Sequence, residues 1–550
     1  MSDSQPSEAP SAPTASGRAA VPIPPTILSR YNGRVLDPAK AAASGGRSFG
    51  ATAYVGDELL IQGDASAVDA LIDAAHKTGH QVISQSADPS SYLDELADEA
   101  VAQLQGTWVR KVKLRNDPRK GTPPDAWSVL QHYREVARDS GAGMSVGLNH
   151  LIHLTDAAET SPSHLRWEPL LQWEPSLRWE PSLQWEPVLR WEPSYFSGNP
   201  LYSAAAQQQS MGGRLPVAGP LTPPAGDPDL DPRARRPVVA ILDTGLGTHP
   251  WFADNVTRGA SVKGYPIGLT DKDPDPEVTP ILDDPLAVAL DREAGHGTFI
   301  AGLVRQACPD AHLLSVRVIP GLGVVDEHKV TTALNMLLVR QVLAQHGLLS
   351  DADGGAGPAR LIDVLLLSLG YYIEDDDDTR YTSALARTLK QYGRLGIPVV
   401  TASGNDGTSA PMYPAALAPR SPDALERDSV PVVTVGASNP NGSPALFSNT
   451  GSWVSCSRPG VNVVSTIPTN FNGGYAAVRS LPDGRSDLDP DDFSGGFAIW
   501  SGTSFAAPAL AGELAQSMLD QGGLDDATSD AATTRAWLAI ESTDLGWSRP

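Results

Sequence analysis

The chain of 550 residues is poor in cysteine, in basic residues and in long apolar runs. Its two cysteines, Cys308 and Cys456, follow no metal-ligand spacing. They are either free thiols of a reducing compartment or one long-range disulfide. Lys and Arg number 41 against 64 Asp and Glu, which gives a net charge of −23. Because so acidic a chain is unsuited to a polyphosphate partner, we expect no binding to nucleic acid.

Membrane and export signals are also missing. No stretch reaches the ~18 apolar residues that a membrane-spanning helix needs, and the longest candidate, 364–373, has the length of a strand. The start of the sequence contains no apolar signal-peptide core. We therefore expect a soluble protein that does not bind membranes and stays in the cytoplasm.

The residue patterns divide the first part of the chain into two regions. The segment 1–49 begins rich in Ser, Pro and Ala and is predicted to be disordered. Over 50–160 the order β-α-β-(α)-β-α-β predicts a small α+β, ferredoxin-like domain. Its predicted strands are 51–63, 81–83, 107–115 and 144–154, and its predicted helices are 65–78, 91–105 and 124–138.

A linker is predicted over 161–235, and it contains a repeat. Five copies of a hexapeptide built on Trp-Glu-Pro occupy 165–194. A proline at every sixth position excludes a helix and favours an extended chain. The repeat is either a replicated low-complexity linker or a ladder of Trp anchors that docks on another surface.

The remaining part, 236–545, has unbroken Val, Ile and Leu runs separated by helical patterns. Strands that are apolar on both faces predict an α/β domain, a parallel sheet with helices on both faces. The predicted strands are 238–242, 313–318, 364–369, 399–402 and 432–437, and the helices are 297–306, 331–346, 382–392 and 503–519.

Three polar residues stand at element ends of this domain. Asp243 follows an apolar strand, at the sheet edge where α/β proteins build their sites. His296 lies between two glycines at the head of a helix, and Ser504 begins another helix. Each alone is explained as a cap or turn residue. Together they supply the carboxylate, the base and the hydroxyl that nucleophilic acyl transfer needs.

The segments ILDTGLGTHP, GHGTFIAGLV, LLLSLG, ASGND and SGTSFAAPALAG resemble the subtilisin-like serine proteases, or subtilases, over about 237–520. The order Asp, His, Ser is also that of subtilisin. The resemblance implies that Asp243 orients the base, that His296 is the general base and that Ser504 is the nucleophile. It implies that Asn405 supplies the side-chain donor of the oxyanion hole.

The same resemblance implies where a substrate binds. Ser368, Leu369 and Gly370 match the strand that pairs with the substrate backbone. Ser403 and Gly404 match part of the wall of the S1 pocket. The expected activity is that of a serine endopeptidase, a regulated intracellular processing protease acting on protein or peptide substrates, without a cofactor or catalytic metal. The alternative is an inactive scaffold that binds peptides through this cleft and the Trp repeat.

The region 50–160 resembles the pro-domains of subtilases. It is expected to pack on the catalytic domain as an intramolecular chaperone and inhibitor, the alternative being an independent partner-binding domain. The family often has His at the position of Phe299 and Met at that of Phe505; both positions are interpreted as apolar packing sites.

Two acidic segments need separate interpretation. The Pro-rich segment 271–284 is predicted to be a surface insertion and is the candidate for a bound Ca²⁺, although it has no regular ligand spacing. Five consecutive acids occupy 374–378, after the predicted substrate-pairing strand. They either favour Lys or Arg near the cleaved bond or form a solvated loop.

Overall fold

The computed structural model describes most of the two predicted domains. The described residues are 23–38, 49–62, 65–85, 104, 107–118, 123–140, 146–154, 214–281, 290–374, 384–474, 477 and 479–550. The Trp-Glu-Pro repeat at 165–194, the predicted helix 91–105 except Leu104, and the acids 375–378 lie outside them. The expectations drawn from the sequence for those segments stay predictions.

The N-terminal region forms an antiparallel sheet with strand order β5-β2-β4-β3. Two helices pack on it, and the connectivity is the predicted ferredoxin-like β-α-β-β-α-β. The elements are α1 (Pro25–Arg30), β1 (Gly33–Leu36), β2 (Thr52–Ile61), α2 (Ala65–Thr78), β3 (His80–Gln85), β4 (Arg110–Asn116), α3 (Ala126–Ser140) and β5 (Val146–Leu154).

The prediction that 1–49 is disordered is wrong for 25–36, which form α1 and β1. Strand β1 pairs with β2 in an antiparallel register. Ile27 is buried and packs in a small cluster with Val55 and Val324. The few apolar residues in a polar, Pro-rich stretch acquire their burial from distant partners, which composition alone does not reveal.

The C-terminal region is built on seven parallel strands in the order β18-β17-β15-β13-β7-β11-β8. Helices α4 and α7 share one core cluster, and α5 and α6 share the cluster on the opposite face. This is the predicted α/β architecture.

Its strands are β6 (Leu215–Pro216), β7 (Val238–Asp243), β8 (Val256–Arg258), β9 (Ala260–Val262), β10 (Tyr265–Ile267), β11 (His312–Arg317), β12 (Val324–Asp326), β13 (Val364–Leu367), β14 (Leu369–Tyr372), β15 (Val399–Ala402), β16 (Met412–Tyr413), β17 (Val432–Ser438), β18 (Cys456–Pro459), β19 (Val463–Thr466) and β20 (Phe497–Trp500). Its helices are α4 (His296–Ala307), α5 (Glu327–Gln345), α6 (Ala384–Arg394), α7 (Thr503–Gln521) and α8 (Ser529–Glu541).

Several elements differ from the prediction. The predicted strand 364–369 is two strands, because β13 ends at Leu367 in the parallel sheet and β14 pairs antiparallel with β5 and β16. Within the predicted linker 161–235, residues 215–216 form β6, which pairs with β20. Helix α8 was not predicted.

Strand β5 joins the two regions. Beyond its pairing with β2, its second half pairs antiparallel with β12, and its last two residues pair with β14. The N-terminal sheet therefore continues into the edge strands of the C-terminal domain.

Cys308 and Cys456 are both free, which excludes the disulfide alternative. Burial raises the pKa of each thiol to about 12.

Within the described ranges, no helix combines the length and the apolar character required to cross a bilayer.

Candidate active site

Asp243 and His296 meet at the carboxyl edge of the parallel sheet. Strand β7 ends at Asp243, and α4 begins at His296 after Gly295, whose φ of 84° is left-handed. His296 Nδ1 lies 2.7 Å from Asp243 Oδ1, and both side chains are buried. This bond orients the imidazole and makes Nε2 the ring nitrogen suited to take a proton from a nucleophile.

Aromatic packing holds the imidazole of His296 beside the start of α7. The ring lies 5.3 Å from that of Phe505 and 5.8 Å, edge-on, from that of Trp500. Phe299 and Phe505 are fully buried with ring centroids 4.6 Å apart. Both phenylalanines therefore occupy apolar packing positions, as interpreted from the sequence.

Ser504 lies in the first turn of α7 and next to the predicted substrate-pairing strand. Its Oγ is 3.4 Å from the carbonyl oxygen of Ser368, and Ser368 Oγ donates to the carbonyl of Ser504 at 3.1 Å. Because Phe505 contacts the ring of His296, the predicted nucleophile lies at the helix end nearest the predicted base.

The loop after β15 is tied to the same helix end. Asn405 Oδ1 accepts from the backbone N–H of Thr503 at 2.9 Å, and the N–H of Gly404 donates to Thr503 Oγ1 at 3.1 Å. Gly404 has φ of 102°, and a Cβ there would overlap Asn449. Ser403, beside Gly404, is buried. The predicted oxyanion donor is thus fixed against the helix that carries Ser504.

The predicted substrate-pairing strand is already paired. Leu369 is opposite Leu154 of β5, and Gly370 is opposite His153. The N–H of Leu154 also donates to the carbonyl of Gly323 at 3.2 Å. The N-terminal domain therefore places an extended segment on the edge that the resemblance assigns to substrate.

Sequence reasoning missed Glu277, which contacts both catalytic elements. It lies in 271–284, predicted to be a surface insertion, yet its side chain is only 1% exposed. It accepts hydrogen bonds from the hydroxyls of Thr244 and Thr298, which follow Asp243 and His296 in the chain. The threonines in the two motifs were a usable signal for a buried acceptor; nothing around Glu277 identified that acceptor.

Glu374, the first of the five acids after β14, does not contribute negative charge to an open cleft surface. It is buried and paired with Arg134 at 2.8 Å and with His150 at 2.9 Å. Burial alone would raise the pKa of Glu374, but the charge of Arg134 and the bond from His150 lower it to about 2. The basic-substrate alternative therefore rests on 375–378 alone.

The described residues contain no cluster of three or more His, Cys, Asp or Glu arranged to hold a metal ion. Residues 282–284 of the calcium candidate are outside that search. The expectations about calcium and cofactors stay predictions.

Comparison with known proteins agrees with this arrangement. The model of the Subtilase family matches residues 234–547, more than half of the chain. The chain belongs to the subtilase family. The match begins at the end of the predicted linker and includes β7, α4 and α7, which carry Asp243, His296 and Ser504.

Individual relatives are distant. The "Thermophilic serine proteinase" of Bacillus sp. (strain AK1) is 28% identical over 285 residues, 52% of this chain and 52% of that protein. "Subtilisin BL" of Lederbergia lenta is 27% identical over 289 residues, 50% of this chain and 74% of that protein. Among solved structures, fervidolysin from Fervidobacterium pennivorans, a keratinolytic enzyme related to subtilisin, has 18% identity and a TM-score of 0.43, covering 90% of this chain and 59% of that one. The chain spans about half the length of the first curated relatives that it matches.

Proposed function

We propose that this subtilase is a serine endopeptidase that cleaves protein or peptide substrates through an acyl-enzyme. The observation that carries the proposal is the 2.7 Å bond between His296 Nδ1 and Asp243 Oδ1, formed where the first turn of α7, which contains Ser504, meets the imidazole. A carboxylate that orients a buried imidazole beside a serine hydroxyl is the arrangement that activates a serine.

In this proposal the Oγ of Ser504 attacks the scissile carbonyl carbon while Nε2 of His296 takes the hydroxyl proton. Asp243 stabilises the resulting imidazolium. The oxyanion accepts hydrogen bonds from the Asn405 amide and the Ser504 N–H. His296 then gives the proton to the leaving amine, and water repeats the cycle to release the acyl group.

A fluorophosphonate probe tests this assignment, because it phosphonylates only an activated serine. We expect labelling at Ser504 and loss of labelling in Ser504→Ala and His296→Ala. Each variant is expected to lose peptide hydrolysis by about 10⁶-fold, as removal of either group does in a subtilisin. Retained hydrolysis by purified His296→Ala protein would contradict the assignment.

We further propose that the N-terminal domain assists folding of the catalytic domain and inhibits it. The support is β5, which lies between β12 and β14 and pairs with the edge that the resemblance assigns to substrate. We expect residues 230–550 alone to fold poorly, and residues 1–160 added in trans to restore soluble protein and to inhibit it. Equal soluble yield and activity with and without the added domain would support an independent partner-binding domain instead.

The intracellular, processing role is also a proposal. It is supported by the two free thiols, which suit a reducing compartment. Mapping new protein N-termini in cells with wild-type protein against Ser504→Ala would identify the substrates. A processing protease is expected to give a few new termini, and a degradative one many.

A further inference from the structure

Glu277 connects the ends of the two elements that carry the catalytic pair. Its Oε1 accepts from the hydroxyl of Thr244 and, at 3.2 Å, from the N–H of Gly297. Its Oε2 accepts from the hydroxyl of Thr298 at 2.5 Å. Thr244 follows Asp243 directly, and Gly297 and Thr298 follow His296. One buried carboxylate therefore holds the end of β7 against the start of α4.

The turn that carries Glu277 is itself anchored to the sheet. The N–H of Glu277 donates to Asp275 Oδ1 at 3.0 Å. Arg317, on the strand next to β7, donates to the carbonyl of Pro274 at 2.6 Å and lies 3.5 Å from the Asp275 carboxylate. These contacts fix the turn, and with it Glu277, next to the residues that follow Asp243 and His296.

The Thr244 hydroxyl has one proton and two acceptors. Thr244 Oγ1 lies 3.1 Å from Asp243 Oδ1 and within hydrogen-bond distance of Glu277, and it accepts from the N–H of Gly297 at 2.8 Å. An ionised Glu277 has no proton, so it takes the hydroxyl proton of Thr244 as its hydrogen bond. A protonated Glu277 donates its own proton to Thr244 Oγ1, and the Thr244 hydroxyl then turns to Asp243. The two states differ by one proton, which Glu277 takes from solvent when it is protonated and returns to solvent when it ionises.

We propose that Glu277 is a positioning residue for the catalytic pair: it fixes Asp243 and His296 through two threonine hydroxyls, and its ionisation decides whether Thr244 donates to Asp243. The proposal rests on the roles given above to Asp243 and His296. It adds a second carboxylate to the machinery, one that touches neither substrate nor the imidazole.

Electrostatics place this exchange near neutral pH. Burial raises the pKa of Glu277 to about 7; the threonine bonds oppose this rise, and the charges of Asp243 and Asp275 add to it. Among the described residues, the titratable and charged groups that face Glu277 are Asp243, Asp275 and Arg317, and His296 is bonded to the first of them. An ionised Glu277 favours the imidazolium form of His296. A protonated Glu277 lacks that negative charge, and it lets the Thr244 hydroxyl donate a hydrogen bond to Asp243. Both changes make His296 a weaker base.

Titration of His296 by NMR tests the proposal in the full chain carrying Ser504→Ala, which prevents self-cleavage. The signal is identified by its loss in His296→Gln. We expect Glu277→Gln, which keeps the shape but cannot ionise, to move the titration of His296 down by about one pH unit. Asp275→Asn, the matched control, removes a charge from the same turn and is expected to move it by less than half as much.

A second variant covers the case in which Glu277→Gln does not fold. Thr298→Val removes a donor to Glu277, which keeps the carboxyl protonated to higher pH, so the titration of His296 should again move down, by a smaller amount. An unmoved titration in both variants, or an equal shift in Asp275→Asn, would overturn the proposal.

The measurement needs no turnover, so it separates this inference from the proposed protease activity. If the chain hydrolyses peptides, the acid limb of kcat/KM in Glu277→Gln should move in the same direction. If Glu277 had a purely structural role, Glu277→Gln would lower the maximum of kcat/KM but would not change the pH of its acid limb.

Discussion

Asn405 has a side chain with two tasks. Its oxygen accepts a hydrogen bond from the N–H of Thr503 at 2.9 Å, and this bond fixes the orientation of the side-chain amide. In the proposed mechanism its nitrogen donates to the oxyanion. We expect Asn405→Ala to lower kcat by about 10²–10³-fold with little change in KM, because the donor acts on charge that develops in the transition state.

Thr503→Ala provides the control for the Asn405 prediction. It removes the bond from the N–H of Gly404, at 3.1 Å, between the same loop and helix, but no donor to the oxyanion. Steady-state kinetics of both variants with one peptide substrate would separate the two effects. If Thr503→Ala lost as much kcat as Asn405→Ala, the loss would come from the loosened helix end.

The four residues assigned to catalysis were predictable because each stands in a short motif at an element end. Asp243 ends an apolar strand, His296 begins a helix and Ser504 is the second residue of another, so local sequence specifies both type and place. Glu277 was not predictable in this way. Its burial is produced by Arg317 and by threonines distant in the chain, whereas its own neighbours are acidic residues and prolines.

At the scale of elements, the loop after β15 depends on one glycine. Gly404 has φ of 102°, and a Cβ there would overlap Asn449 and Met412, which pack behind the loop. We expect Gly404→Ala to reduce the free energy of unfolding by about 2–5 kcal/mol, from backbone strain and overpacking together. Activity should fall as well, because Asn405 is the next residue.

Gly442→Ala is the matched control. Gly442 has φ of 83°, but no described atom lies within 4 Å of its Cβ position. The substitution should cost only the strain, about 1–2 kcal/mol. Urea unfolding of both variants in a Ser504→Ala background measures the difference. Equal losses would mean that the loop moves to accept a methyl group and that packing behind Gly404 is loose.

Element boundaries show where local pattern is insufficient. The apolar run 364–369 predicts one strand, yet the chain leaves the parallel sheet at Ser368 and pairs with β5 instead. Apolar character was correctly interpreted, but the partner comes from a domain more than two hundred residues away in the chain. Pairing across such a distance is not encoded in the periodicity of either strand.

At the scale of the whole molecule, a buried ionic cluster joins the two domains. His150 of β5 lies between Glu327 of α5, at 2.6 Å, and Glu374, at 2.9 Å, and Arg134 pairs with Glu374. His150 also stacks on Tyr371 with ring centroids 4.8 Å apart. Two cations from the N-terminal domain thus match two carboxylates of the catalytic domain.

This cluster should make the contact between the domains sensitive to pH. Burial alone would lower the pKa of His150, but the charges and hydrogen bonds of Glu327 and Glu374 raise it from 6.5 to about 9. A raised histidine pKa contributes stability that is complete below its ordinary value and is lost as pH rises towards about 9. We therefore expect binding of the separate N-terminal domain to weaken about tenfold or more between pH 6 and pH 9.

His150→Gln and His153→Gln separate this cluster from the rest of β5. Gln at 150 is neutral at every pH, so binding should be weaker at about pH 6 and should lose most of its dependence on pH. The ring of His153 bonds the carbonyl of Leu154 at 3.0 Å rather than a carboxylate, so its variant should keep the wild-type dependence. Calorimetry measures both when residues 1–160 are titrated into a catalytic domain that was folded as part of the full Ser504→Ala chain and then separated from its N-terminal domain by cleavage at a protease site placed in the linker. If His150→Gln kept the wild-type pH profile, other groups would cause the pH dependence of binding. The pairing of β5 would then account for the whole attachment between the domains.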